Sequence, residues 1–555
     1  MEPPRTSADR LGRGVDSPKG GPPWRRRLTA GAIFLVLLGL YHLNGDYSIS
    51  NDAKPNMYLA LNLLKQGRMT FTSQQMPFMF VWHLDGPGGS RLIQFLRWDE
   101  DLGGRTADQL RRAGLLGQPV PRYYVVPSVR TDAATGLPSY VNTFGPGAGL
   151  AFLPLFAALE AAGENLPDNP RLMNYAGKFV AAAMVAASAA LIFLTAAGFA
   201  SLPAAALVAA AYGLGTCVWT VSSQSLWQHG PNEFFVALGT LFLLRIGGGR
   251  GRWRDAAFCG LAYSAAVVCR PTSVVVAAVA GAYLLIVSRR LVIPYVLAAL
   301  PLGLALGAYN TYYLGSPFET GQGRAGHVVA MQKTGKPDLW QTPLAEGAAG
   351  LMLSPSRGLL VFSPWVVFAI GGAVAAWRRR GAYAPLTALT VATVVLWVVA
   401  FKWFDWWGGW CFGYRPIVDT MPLLAVMLIP AAGWICRRKA RMGVFLFLLA
   451  WSVVVQVLGA WAYNIDTWNA PTWSVAVHFT DGSPPVTVAN MHQVKQVAAT
   501  RPVEGVEPIL GDIDKPEYRH RLWSVADSQL AHLLTRFAES RAVKRQEMEE
   551  WLTNP

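Results

Sequence analysis

The chain has 555 residues, of which 52% are hydrophobic and only 15% charged, and its mean hydropathy is +0.29. Soluble proteins carry nearer a quarter charged residues, and here the apolar residues recur in runs of roughly 16 to 25, the length that crosses a hydrocarbon core; a soluble multidomain protein is excluded. The net charge of +15 does not mark a nucleic-acid partner, because the basic residues sit in short clusters between apolar runs, as in cytoplasmic loops of membrane proteins.

Those clusters are Arg25–Arg27; Arg245, Arg250, Arg252 and Arg254; Arg289 and Arg290; Arg378–Arg380; and Arg437, Arg438, Lys439 and Arg441. The five cysteines show no CxxC spacing and mostly lie within apolar runs, which argues against both a disulfide framework and a metal site.

In chain order, residues 1–27 read as a disordered cytoplasmic tail, rich in Pro, Gly and Arg. The run Leu28 to Leu43 lacks a small-residue cleavage pattern and is taken as an uncleaved first span. Residues 45–172 form a large first extracytoplasmic loop, too polar to lie in lipid. Within it Tyr58–Leu64 reads as a short amphipathic helix stopped by Gly67, lying along the membrane surface. Counting Phe144 to Ala162 as a span would put every later basic cluster outside, so it is read as interfacial or re-entrant. Further spans are expected near 173–197, 202–220, 230–246, 255–270, 271–288, 291–313, 358–376, 383–401, 416–435 and 443–463. The fold class is thus an all-α polytopic membrane protein with about eleven transmembrane helices over residues 28–463. Residues 464–555 return to the side of the first loop as a small extracytoplasmic appendage, with a helix expected near 522–552.

On this topology the ionisable residues near the membrane gather at one face. They are Asp46, Asp52, Lys178, His229, Arg270, Glu319, Arg324, His327, Arg357, Lys402, Asp405 and Arg415. Acid, base and cation at one interface point to a water-accessible site. Each also has a plainer role. Asp52 precedes Pro55 and would suit a helix N-cap, Asp46 a solvated turn and Arg270 a hairpin anchor. Lys178 would snorkel to the headgroups, and His229 would start a helix. Trp403, Trp406, Trp407 and Trp410 fit an aromatic belt or a sugar-stacking loop.

Seven stretches in order carry a family likeness: Ser50 to Gly67, Tyr140 to Pro154 (YVNTFGPGAGLAFLP), Ser225 to Pro231 (SLWQHGP), Arg270-Pro271-Thr272, Leu314 to Phe318 (LGSPF), Ser354 to Pro364 (SPSRGLLVFSP) and Trp406 to Pro422 (WWGGWCFGYRPIVDTMP). Over roughly residues 28 to 463 the chain resembles the GT-C glycosyltransferases, closest to bacterial members of the protein mannosyltransferase-like group. The resemblance implies a polyprenyl-phosphate-linked sugar as donor, a glycan, lipid or protein acceptor, and inverting transfer at the outer face of the bacterial cytoplasmic membrane. It implies Asp52 as general base, with Asp46 second. Arg415, Lys178 and Arg270 would hold the donor phosphate, and His229, Tyr58, Asp405, Trp407 and Glu319 would line the substrate site. A lone acidic residue in each patch leans away from a metal, although the family leaves a divalent cation (Mg or Mn) open.

Two rivals belong to other classes: a transporter or flippase of a lipid-linked or small solute, and an assembly factor docking partners through 464–555. The transporter would need ionisable groups near the bilayer midplane. The topology makes a labelling prediction. In intact cells an impermeant thiol reagent should modify Ser50→Cys and spare Gly381→Cys; the opposite pattern inverts the orientation.

Overall fold

A computed structural model of the protein describes residues 22–48, 52–76, 79–86, 89–94, 114, 116–166, 169–465, 467–470, 472–488 and 491–553. Most of the predicted N-terminal tail, and Ser50 and Asn51 of the first motif, lie outside the described residues.

The structure is 67% helix. Four helices are long and apolar enough to cross a membrane: Pro170–Ala196, Arg289–Leu314, Tyr383–Lys402 and Lys439–Ala462. A fifth results if Arg415–Met427 and Ile429–Cys436, bent by 52°, are one broken span. At 1.5 Å per residue, about 20 residues match a 30 Å hydrocarbon core. Arg289–Leu314 is the least covered of the four, with 6% of its apolar window buried. Its Ile293, Leu297 and Leu304 side chains are more than half exposed, which suits lipid and not water. Several apolar helices thus mark a membrane protein.

The other runs expected to span are also helical, and all but the first are shorter. Pro23–His42 has 20 residues with three arginines in its first turns, while His229–Arg245 and Trp253–Cys269 have 17 residues each, and Leu202–Leu214 and Val366–Arg378 have 13. Gly215 closes Leu202–Leu214, and the chain then turns through Val218–Ser222. Among the described residues, length and composition mark four crossings, or five with the bent pair, and the count of about eleven is not confirmed.

The all-α expectation is corrected by two sheets. Strands β1 (Phe71–Thr72), β5 (Val125–Thr131) and β6 (Pro138–Asn142) form one, in the order β1-β6-β5. The second combines β2 (Phe80–Gly86), β3 (Gly89–Gln94) and β4 (Leu116–Pro121) with β7 (Thr472–Phe479), β8 (Val486–Val488) and β9 (Val503–Gly511), in the order β4-β2-β3-β9-β7-β8. The segment Trp473-Ser474-Val475-Ala476-Val477-His478-Phe479 is rich in β-branched and aromatic residues; a scan for long apolar runs passes over strands this short. Because β3 pairs antiparallel with β9 at Gln94 and Val506, the C-terminal segment completes the first loop's sheet. It is no separate appendage.

Beneath that sheet lies the helix Lys54–Gln66, ended by Gly67 in the left-handed conformation (φ 65°). The expected stop is present, but the surface placement is not. Pro55 to Asn62 are buried without a break, and Met57, Leu59 and Ala60 join Phe80, Trp82, Phe152 and Val477 in one apolar cluster. The run after Phe144 forms the 15-residue helix Gly147–Ala161. At Gly147 a Cβ would stand 2.5 Å from Cys269 Cα and 2.6 Å from the Val268 carbonyl oxygen, so only glycine lets this helix meet the end of Trp253–Cys269.

Helix polarity positions the site. His229–Arg245 ends on a basic cluster, Trp253–Cys269 and Tyr383–Lys402 begin beside one, Val274–Val287 runs into Arg289, and Lys439–Ala462 starts on one. Their other ends carry His229, Arg270, Ser273, Trp403 and Ile465, which all line one cavity.

Gly147→Ala should destabilise the protein by about 1–3 kcal/mol through overpacking, seen as a lower thermal midpoint in detergent. An unchanged midpoint would mean that the two helices can part at no cost.

Candidate functional site

The cavity encloses about 710 Å³, within the size range of small-molecule sites. The polar wall includes Asp52, His229, Arg270, Asp405, Arg415 and Asp419. Val236, Val276, Leu396, Val399 and Ala400, from three apolar helices, form an apolar wall.

Asp52 and Arg415 are 363 positions apart in sequence, and Arg415 Nη1 donates to Asp52 Oδ2 at 2.9 Å. Several local features place the carboxylate. The helix Lys54–Gln66 is capped by Ala53, without a side-chain capping bond, so Asp52 is not its N-cap. The next turn is fixed by Asn56, whose Nδ2 donates to the Leu226 carbonyl at 2.8 Å while its Oδ1 accepts from Asn142 Nδ2 at 2.6 Å. Three of the motif stretches are thereby tied together behind Asp52. On the other side, Arg415 Nη2 donates to the Gly408 carbonyl at 2.8 Å, and the guanidinium lies 4.6 Å from the Trp227 ring centroid, a cation–π distance. Gly408 accepts from this position with φ +73°. Among the described residues Asp52 Oδ1 has no partner, so this oxygen is available to a ligand.

A second hub is Asp419. Its Oδ1 lies 3.1 Å from His229 Nδ1 and accepts from Asn232 Nδ2 at 3.0 Å. Its Oδ2 is 2.5 Å from Arg270 Nε. Asn232 Oδ1 in turn accepts from Ser273 Oγ at 2.6 Å. One carboxylate thus organises side chains from two other stretches of chain.

The third polar group closes the cavity from the non-spanning segments. Lys333 Nζ lies 2.8 Å from Asp405 Oδ2 and 2.9 Å from Asp514 Oδ1. Burial disfavours the Lys333 charge, but the two carboxylates outweigh burial and hold its pKa above the ordinary lysine value. Asp514 also accepts from Trp407 Nε1 at 2.9 Å. The tryptophan loop itself is pinned from behind by fully buried Arg357, which donates to the carbonyls of Trp407 (2.9 Å) and Gly409 (3.2 Å) and to Asn469 Oδ1 (3.0 Å). Gln529 adds two bonds of 2.9 Å, to the Cys411 carbonyl and the Gly413 N–H. The C-terminal segment is therefore part of the site's wall.

Of the residues singled out from the sequence, Asp52, Arg415, Arg270, His229 and Asp405 share the cavity. Trp407 stands just behind it. Asp46 and Lys178 do not line it. Asp46 is buried with Lys544 Nζ 3.2 Å from its Oδ1, while Lys178 donates to Asn44 Oδ1 at 2.7 Å and to the backbone carbonyl of Asp46. Lys178 therefore does not snorkel outward, and Asp46 is not a solvated turn. Tyr58 packs in the apolar cluster under the sheet. Glu319 is 38% exposed and faces Arg324 at 3.6 Å, outside the cavity. Sequence reading missed Asp419, Asn232, Lys333 and Asp514. Asp419 was the legible one, a carboxylate inside an apolar run. Also missed was Glu233, fully buried, which accepts from Ser222 Oγ at 2.6 Å. Among the described residues no group of three or more His, Cys, Asp or Glu is arranged to hold a metal ion.

No family model matches the chain, and no curated protein matches it.

The Asp46–Lys544 pair makes a stability prediction. Lys544→Met strands a buried carboxylate and should cost about 3 kcal/mol, whereas Asp46→Asn/Lys544→Met should recover part of that loss. Equal unfolding midpoints for the single variant and wild type would show the pair to be solvated.

Proposed function

We propose that the protein is an integral membrane glycosyltransferase that moves a sugar from a polyprenyl-phosphate donor to an acceptor hydroxyl, with inversion. The observation that carries this reading is a carboxylate held by an arginine, Asp52 and Arg415 at 2.9 Å, in a cavity with one wall of apolar helix side chains and one polar wall. The apolar wall suits an isoprenoid chain, and the polar wall suits a sugar and its acceptor.

The chemistry follows from that arrangement. An alcohol is a poor nucleophile at neutral pH, and Asp52 Oδ1 accepts its proton as the oxygen attacks the anomeric carbon. The bond from that carbon to the phosphate oxygen breaks on the opposite face, and the lipid phosphate leaves with the electron pair. Arg415 holds the Asp52 carboxylate in place through its 2.9 Å contact to Oδ2 and leaves Oδ1 for the acceptor. The cavity's cations offset the charge gathering on the phosphate.

The same reading proposes eleven crossings, with the shorter apolar helices completing the set. The basic clusters and N-terminus would face the cytoplasm, and the first loop and C-terminus the outside of a bacterial cytoplasmic membrane. A transporter or flippase is the alternative. Glu233, one helical turn deeper than His229, is the residue that favours it.

A deletion strain separates the two. Loss of one glycan with build-up of its polyprenyl-linked donor, rescued by wild type and not by Asp52→Asn, supports the enzyme. The variant should transfer at least about a hundredfold more slowly. Full rescue by Asp52→Asn removes Asp52 as the base, and wild-type vesicles that translocate the donor without consuming it favour the transporter.

A further inference from the structure

The two arginines of the cavity are not equivalent. Arg415 is already committed, one Nη to Asp52, the other to the Gly408 carbonyl, and its face to Trp227. Arg270 Nε forms a close ion pair with Asp419 Oδ2 at 2.5 Å, outside hydrogen-bond geometry, and among the described residues neither of its Nη groups has a partner. Its side chain is only 12% exposed, and it lines the cavity. A largely buried guanidinium with two open donors has an unmet demand for an anion.

We propose that Arg270, aimed by Asp419, is the arginine that receives a phosphate ester in this cavity, and that Arg415 serves Asp52 instead. The inference rests on the lipid-phosphate donor reading above and assigns the phosphate within it. Asp419 is a positioning residue. It pairs with the Nε side of Arg270 by charge and leaves the Nη pair, on a residue that lines the cavity, to meet two phosphate oxygens at once. The same carboxylate holds His229 through Nδ1, which leaves Nε2 as that ring's free nitrogen. Ser273 and Asn232 brace the arrangement from behind. Val236 and Val276 line the cavity from the two helices that begin at His229 and just after Ser273, so the phosphate and the first carbons of an attached chain have adjacent walls of matching polarity.

Charge-balanced variants test the assignment. The full chain in detergent is titrated with farnesyl phosphate, with farnesol as the uncharged control and inorganic phosphate as the chain-free one. Arg270→Gln/Asp419→Asn and Asp52→Asn/Arg415→Gln each remove one cation and one anion, so the net charge of the cavity does not change. The first should raise the Kd for farnesyl phosphate tenfold or more. The second should abolish transfer yet hold that Kd within about threefold, the scale expected of a lost charge-assisted bond against none. Farnesol should bind all three proteins alike, and inorganic phosphate should bind wild type more weakly than the ester. Equal losses in the two variants, or the reverse order, overturn the assignment of Arg270. Tighter binding of inorganic phosphate would identify a free-phosphate site and overturn the lipid ester. Should the first variant fail to fold, Arg270→Lys keeps the charge without the planar fork and should still lose at least threefold; wild-type affinity there also overturns the proposal. Wild type that does not prefer farnesyl phosphate over farnesol sinks the donor reading itself, a result distinct from either.

Discussion

A carboxylate and a guanidinium taken out of water lose hydration worth several kcal/mol each, and they recover it only if each finds the other in good geometry. The Asp52–Arg415 contact imposes that condition on the rest of the fold. It can form only if the turn before the helix Lys54–Gln66 and the stretch beyond the tryptophan loop arrive together, 363 positions apart. The first loop's sheet, the Asn56–Asn142–Leu226 ties and the Arg357 pins act on one partner or the other. Asp419 repeats the solution with Arg270, and Lys333 repeats it between two aspartates. The cavity is a set of neutralised couples, and an incoming anion has to use donors that these couples leave over.

The cavity therefore offers two unlike surfaces to whatever enters. Side chains from three helices present hydrocarbon, and the loops and C-terminal segment present hydrogen-bonding groups. A molecule with one greasy end and one sugar-like end is satisfied by both at once. A wholly polar solute would leave the apolar wall wet, and a wholly apolar one would leave the ionic couples without water or ligand.

Much of this was legible in the sequence where a single signal decides it. Long apolar runs became helices because nothing but an intra-segment hydrogen-bond ladder satisfies a backbone in lipid. Gly67 ended its helix because only glycine adopts that backbone conformation cheaply. The strands were missed because β1 and β8 have only two and three residues, and β3 acquires its neighbour β9 from the far end of the chain. Asp52 ranked ahead of Asp46 in sequence only through the family likeness. They part company because Lys544, from the last helix, claims the first and Arg415 the second. No local pattern encodes which lysine or arginine returns across hundreds of residues. Asp419 was the missed residue that did carry a signal, a carboxylate in a run that reads as membrane, where its charge is tolerable only beside Arg270.

The late strands and helices have a consequence for biogenesis. A ribosome releases the segment bearing β9, Asp514, Gln529 and Lys544 after the four long apolar helices, which end at Ala462. Until then the edge of β3 is unpaired, the tryptophan loop lacks its Gln529 bonds, and Asp46 has no lysine from the final helix. A nascent or prematurely terminated chain could thus sit in the bilayer with all its membrane helices and still lack a closed pocket. The pocket's wall is complete only once residues 503–544 have joined it.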